Sequence, residues 1–242
     1  MALYSPDFLL DRLLYRDGLI LVIDKPAGLA VHAGPGRGES LEDYLDALRF
    51  GLPGRPELAH RLDRDTSGCL VLGRHKKALR RLGRLFSAGE VEKVYWAVVE
   101  GRLQRAEGRI DVPLAKHSTR ARGWWMAPAP AGSGQAAVTD YRVLEQGPDS
   151  SLVECRPRTG RTHQLRVHLA SLGHPIRGDR QYGAADGFGP MLLHAKAITL
   201  PLYPARPPLV IEAPLPDTLQ NALASMPGAA AGPLLRQGAR LP

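Results

Sequence analysis

The stretch Ala59-His60-Arg61-Leu62-Asp63-Arg64-Asp65-Thr66-Ser67-Gly68 sets charged groups between two segments of very different character. Upstream lies the turn-rich Gly51-Leu52-Pro53-Gly54-Arg55-Pro56, and downstream Cys69-Leu70-Val71-Leu72 is a short apolar run suited to a core strand. The charged residues are therefore expected on a loop that feeds a sheet, the position from which a rigid scaffold presents binding and catalytic groups. A carboxylate in a partly buried loop needs a cation beside it or a proton on it. Arg61 and Arg64 are near in sequence, and Arg161 and Arg166 are offered by a later cluster. Spacing does not separate Asp63 from Asp65, and a salt bridge that only pins the loop fits the same residues.

Outward from this loop the chain alternates between strand and helix patterns. Leu19-Ile20-Leu21-Val22-Ile23 reads as a buried strand that runs into the turn Asp24-Lys25-Pro26-Ala27-Gly28, with Lys25 at the strand's mouth. Ser40 and Asp43 form a capping box for a helix with Leu41, Tyr44, Leu45 and Leu48 on one face. From about His75 to Phe86 the spacing predicts an amphipathic helix, with Leu79, Leu82, Leu85 and Phe86 opposite Lys76, Lys77, Arg80, Arg81 and Arg84. That basic face is either solvated or a phosphate-contacting surface.

Val91 to Val99 alternates as a strand with both faces mostly apolar, which predicts a central position. The composition of 116–135 around Trp124-Trp125 predicts a mobile loop, an excursion from the sheet. Val138–Leu144 and Leu152–Cys155 read as an antiparallel hairpin across Gly147-Pro148-Asp149-Ser150. A helix from about His163 to Leu172, closed by Gly173, carries Leu165, Leu169 and Leu172 on its apolar face. Residues 217–242, rich in Ala, Gly and Pro toward the end, predict a weakly structured tail after a catalytic domain spanning 1–216.

The chain has 242 residues, enough for a substantial core, and its 44% hydrophobic and 23% charged shares are those of a globular protein. Thirty-two Lys and Arg against 24 Asp and Glu give a net charge of +8, with a pI near 9.8. Such a balance favours a polyanionic partner. Two cysteines, Cys69 and Cys155, each sit in a strand-like run and read as buried thiols rather than a disulfide framework. Asp7 and Asp11 interrupt the first fourteen residues, unlike a signal peptide, and no apolar run is long enough for a membrane span. A cytoplasmic monomer without membrane attachment is the expectation.

Several chemistries are disfavoured by spacing. His163 and His168 would stand about 140° apart around a helix, a poor pair of metal ligands, so no metal is expected. Thr66-Ser67-Gly68 lacks the elbow of a serine hydrolase. The Gly34–Gly38 segment lacks the spacing of a dinucleotide fingerprint and any Gly-Lys-Ser/Thr ending, which leaves a nucleotide-binding enzyme as a weak alternative.

The segment His60 to Gly68 resembles the His-Arg-Leu-Asp-x-x-Thr-Ser-Gly signature of the RluA-like pseudouridine synthases at every fixed position. Asp24-Lys25-Pro26-Ala27-Gly28 is similar to the family's first motif, and Lys93-Val94-Tyr95-Trp96-Ala97 to its tyrosine-bearing strand. Thr159 to His168 is similar to its third motif, while Gly173 to Asp179 and Leu192-Leu193-His194-Ala195 extend the match over roughly residues 15–216. The resemblance implies an α+β fold with a mixed, largely antiparallel sheet flanked by helices around a basic cleft.

It further implies isomerisation of uridine to pseudouridine in structured RNA, ribosomal or transfer, with no cofactor. On this resemblance Asp63 is the catalytic aspartate, Tyr95 packs against the target base, Arg166 pairs with Asp63, and Arg61 fills the space left by the flipped nucleotide. Arg64, Arg161, His163, Lys76, Lys77, Arg80 and Arg81 become candidate RNA contacts. The rival from another class is a non-catalytic RNA-binding protein or chaperone with the same cleft.

Overall fold

The computed structural model describes residues 4–34, 38–121, 123–130, 132–183 and 189–226. The Gly34–Gly38 segment considered for nucleotides falls largely outside the described residues. The chain forms two compact units, the first of residues 1–93 and 195–214, the second of residues 94–194 and 215–242.

In the first unit β1 (Leu13–Arg16) pairs antiparallel with β2 (Ile20–Lys25). After a 3-10 helix (Leu41–Leu48) and the short β3 (Glu57–Leu58) comes β4 (Ser67–Gly73), which pairs antiparallel with β2 and with β3. Then α1 (Lys76–Ser87) follows, capped by the His75 side chain accepting from the Ala78 N–H. The expected capping box is present, Asp43 accepting from the Ser40 N–H at 2.9 Å, and Leu41, Tyr44, Leu45 and Leu48 are the buried face. Strand alternation sends Ile20, Val22, Cys69 and Val71 to one face, where Leu82 of α1 and Val91 pack on them.

The chain enters the second unit within β5 (Glu92–Glu100). There β6 (Glu107–Asp111) precedes the paired strands β7 (Leu114–Thr119) and β8 (Gly123–Pro128), followed by β9 (Val138–Gln146), β10 (Ser150–Pro157) and α2 (Gln164–Ser171). The strands pair antiparallel in the order β5-β10-β9-β6. β11 (Leu193–Leu200) returns to the first unit, where its Ala197–Leu200 segment pairs with β12 (Leu209–Glu212), and α3 (Asp217–Ala224) belongs to the second.

β5 is apolar on both faces because two helices cover it. Ala97, Val99, Val153 and Cys155 pack against Leu165 and Leu169 of α2. Trp96, Val98 and Leu152 pack against Leu219 and Leu223 of α3, and Met226 joins them. Structure thus reaches at least Met226, in a segment whose composition predicted little packing, because three apolar side chains at helical spacing suffice to close that face. Leu172 departs from the expected apolar face of α2: it is the C-cap residue and 40% exposed. Both cysteines are buried thiols, as expected, and burial pushes each up to about 12. Among the described residues no helix is long and apolar enough to cross a membrane.

Candidate active site

β4 begins where its sequence turns from charged to apolar, and the loop before it is tied down through its backbone. Thr66 N–H donates to the Asp63 carbonyl at 3.2 Å, closing a turn over Arg64-Asp65. The Arg64 carbonyl accepts from Gly28 N–H at 2.9 Å and from Lys25 Nζ at 2.9 Å, and Arg64 Nε donates to the Gly28 carbonyl at 2.9 Å. The Lys25 side chain is 0% exposed and also donates to the carbonyls of Pro26 and Leu29. A lysine at the end of a buried strand thereby holds its own turn and the Asp63 loop together. Gly68 completes the join: its φ is +104°, and a Cβ there would collide with the Ala195 carbonyl.

Burial dominates the titration of Lys25 and pulls it down to about 7, against the attraction of Asp65, Asp63 and Asp24. The three carbonyls favour the ammonium, since a neutral amine has only two N–H groups to donate. Asp63 itself is half-buried, Arg61, Arg64 and Asp65 are exposed, and Leu62, Thr66 and Ser67 are buried. His60 points back into the fold. Its Nε2 accepts from Val71 N–H at 3.0 Å and its ring stacks on Phe86, and burial with the Lys93 charge holds it down to about 3.

The other expected residues of this unit lie on α1. Lys76, Lys77, Arg80 and Arg84 are exposed and Arg81 is half-buried. Lys76 pairs with Glu57 at 2.7 Å, and the guanidinium of Arg81 lies 5.9 Å from the Tyr203 ring centroid, with Arg206 at 5.4 Å from the same ring.

In the second unit Tyr95 is half-buried on β5 against the cluster that holds Leu165 and Leu169. Arg166 projects from α2 and is 8% exposed; its Nε and Nη2 donate to the two oxygens of Asp179 at 2.7 and 2.8 Å. Asp179 falls within a sequence motif, but nothing in the sequence signals this pairing, because Arg166 lies on α2 and Asp179 on a turn after it. The entry to α2 is fixed by Gln164, whose Oε1 accepts from Thr159 Oγ1 and Arg161 N–H while its Nε2 donates to Val138 and Thr139.

Arg161 is exposed and donates from Nε to the Ala136 carbonyl. His163, in the left-handed region at φ 54°, has Nδ1 2.7 Å from the Tyr182 hydroxyl and stacks on Trp124 of β8. The irregular stretch expected over 116–135 contains four of the six cross-strand pairs of β7 and β8, from Lys116–Met126 to Thr119–Gly123. His168 is buried between Thr139 Oγ1 at 2.9 Å and the Val112 carbonyl at 3.0 Å.

A family model described as RNA pseudouridylate synthase matches residues 19–171. An uncharacterized RNA pseudouridine synthase of Zymomonas mobilis is 46% identical over 87% of this chain and 96% of its own length. Ribosomal large subunit pseudouridine synthase D of Xanthomonas campestris is 39% identical over 89% of this chain and 69% of its own. Among solved structures, human RNA pseudouridylate synthase domain containing 4 superposes with a TM-score of 0.76 at 30% identity, covering 90% of this chain and 94% of that one. With the α+β fold and the motif loop in place, the chain belongs to the RNA pseudouridine synthases, the isomerase family whose RluA-like branch its sequence resembles.

Proposed function

We propose that Asp63 is the carboxylate that opens the glycosidic bond of a uridine flipped out of structured RNA. It either attacks C1′, expelling uracil through N1, or removes the 2′ proton to give a glycal; both routes start from an ionised carboxylate beside the sugar. The detached uracil turns and its C5 bonds to C1′ as the Asp63–C1′ ester bond breaks or, on the glycal route, as the 2′ proton returns; C5 then gives up its proton and N1 gains one, so the product is an isomer and no cofactor is consumed. Tyr95 supplies the surface against which the uracil lies. Arg166 is the cation that serves Asp63 during the reaction. Extruding the base costs a few kcal/mol, which stacking and an inserted Arg61 offset.

The observation that carries this reading is the double tether of the Asp63 loop to the Lys25–Leu29 turn, which immobilises a half-buried carboxylate instead of leaving it on a loose surface turn. Arg64, Arg161, His163, Lys76, Lys77, Arg80 and Arg81 are proposed as contacts to the RNA backbone, and most of them are exposed cations. Several relatives are named for the large ribosomal subunit, which favours ribosomal over transfer RNA as substrate.

The test is release of tritium from C5-labelled RNA that lacks the modification. Wild-type protein is expected to release it, and Asp63→Asn to slow release by about 1,000-fold or more. Release by Asp63→Asn at the wild-type rate overturns the role of Asp63. Pseudouridine mapping of total RNA with and without the gene then identifies the target.

A further inference from the structure

Arg166 is oriented by groups that the chain delivers from a separate turn of the same unit. Its pairing with Asp179 is fork to fork, through Nε and Nη2, a geometry that fixes direction as well as charge. The Asp179 side chain is 1% exposed, and its Oδ1 also accepts from the N–H groups of Gln181 at 3.0 Å and Tyr182 at 3.1 Å. Backbone bonds therefore hold the carboxylate, and the carboxylate holds the guanidinium. Burial opposes ionisation of Asp179, but the bonds and charge of Arg166, together with the two N–H groups, leave it below the usual carboxylate range.

The turn that carries Asp179 is built for this position. Gly178 has φ +77°, and a Cβ there would strike the Pro190 carbonyl. Over the guanidinium lies the Tyr182 ring, with its centroid 4.9 Å from Arg166 Cζ. That ring is itself fixed through its hydroxyl, which accepts from Met126 N–H at 3.0 Å and lies 2.7 Å from His163 Nδ1. A buried ion pair repays little of its desolvation cost as stability. Its evident consequence here is directional: one edge of the guanidinium is locked and its plane is covered.

We propose that Asp179 and Tyr182 are positioning residues for Arg166, Asp179 setting the rotation of the guanidinium and Tyr182 its tilt. The inference rests on the reading in which Arg166 serves Asp63 during the reaction. Neither residue needs to touch RNA for this role.

The experiment measures kcat, RNA affinity and thermal unfolding for Asp179→Asn and Tyr182→Leu, and single-turnover rates for Asp179→Asn with and without Arg166→Met. Asp179→Asn is expected to lower kcat by about 10- to 100-fold with RNA affinity within about twofold of wild type. Tyr182→Leu leaves the ion pair in place and is expected to lower kcat by less; because it also releases His163, kcat at saturating RNA is the readout. In the Arg166→Met background Asp179→Asn is expected to add no more than about a threefold loss.

A fully multiplicative loss in that background shows that Asp179 acts elsewhere and overturns the proposal. So does a folded Asp179→Asn protein with wild-type kcat. If Asp179→Asn does not fold, Tyr182→Leu decides the matter, and an unchanged kcat sinks the idea. A wild-type rate for Arg166→Met on its own refutes the catalytic use of Arg166, a result distinct from any failure of Asp179 to act through it.

Discussion

Lys25 gathers three carbonyls around its buried side-chain nitrogen, and one of the three belongs to Arg64, next to Asp63. Its pKa falls from 10.5 to about 7 on folding. Between these values the unfolded chain binds the proton and the folded chain does not, so the lysine's contribution to stability rises with pH across that window. Lys25→Met removes the three bonds and the pH dependence together. The unfolding free energy of wild type minus that of Lys25→Met, from urea titrations, is expected to grow from pH 7 toward pH 10, by at most about 1.4 kcal/mol per unit. A difference that is flat or shrinks with pH means that Lys25 keeps its proton on folding, and burial then does not depress it. At this scale the sequence was legible where chemistry is local. The charged loop of Asp63 and Asp65 stood out because a carboxylate next to an apolar run requires a reason, although only the family resemblance chose Asp63 over Asp65, and Lys25 was visible at the strand's mouth. Asp179 was not legible, because its partner is thirteen residues away on α2 and spacing carries no information about that pairing.

Elements followed the same division. β2, β4 and β5 were legible because their alternation or continuous apolar run is set by burial within the segment itself. α3 was hidden by the Ala-Gly-Pro composition that follows it, and β7 and β8 by glycine and proline at their ends. Their pairing is decided by tertiary partners. Leu219 and Leu223 are 1% and 2% exposed and close the face of β5 that carries Trp96 and Val98. Each Leu→Ala change in α3 is expected to cost about 2–5 kcal/mol, the usual penalty for a buried leucine. Denaturant titration checks it: a loss under about 0.5 kcal/mol for both variants means that α3 is dispensable to that face.

Across the whole molecule cations outnumber acids by eight, and α1 carries five of the cations. The helix carries Lys76, Lys77, Arg80, Arg81 and Arg84 with no acid in its first turn, so like charges recur at i,i+3 and i,i+4 and two lysines oppose the helix dipole. Each such pair costs a few tenths of a kcal/mol, which makes the basic face a burden to the free protein. In the role proposed for this face, RNA phosphates would relieve that repulsion and release counterions on binding. Replacing Arg80 and Arg84 by Gln is therefore expected to raise the thermal stability of the free protein slightly while weakening RNA binding. The slope of log affinity against log salt should fall by about one for each phosphate that is no longer neutralised, and KM should rise more than kcat falls. Affinities measured from about 50 to 200 mM salt decide it. An unchanged slope in the double variant means that the face is merely solvated, and the substrate's charge is then met by other cations.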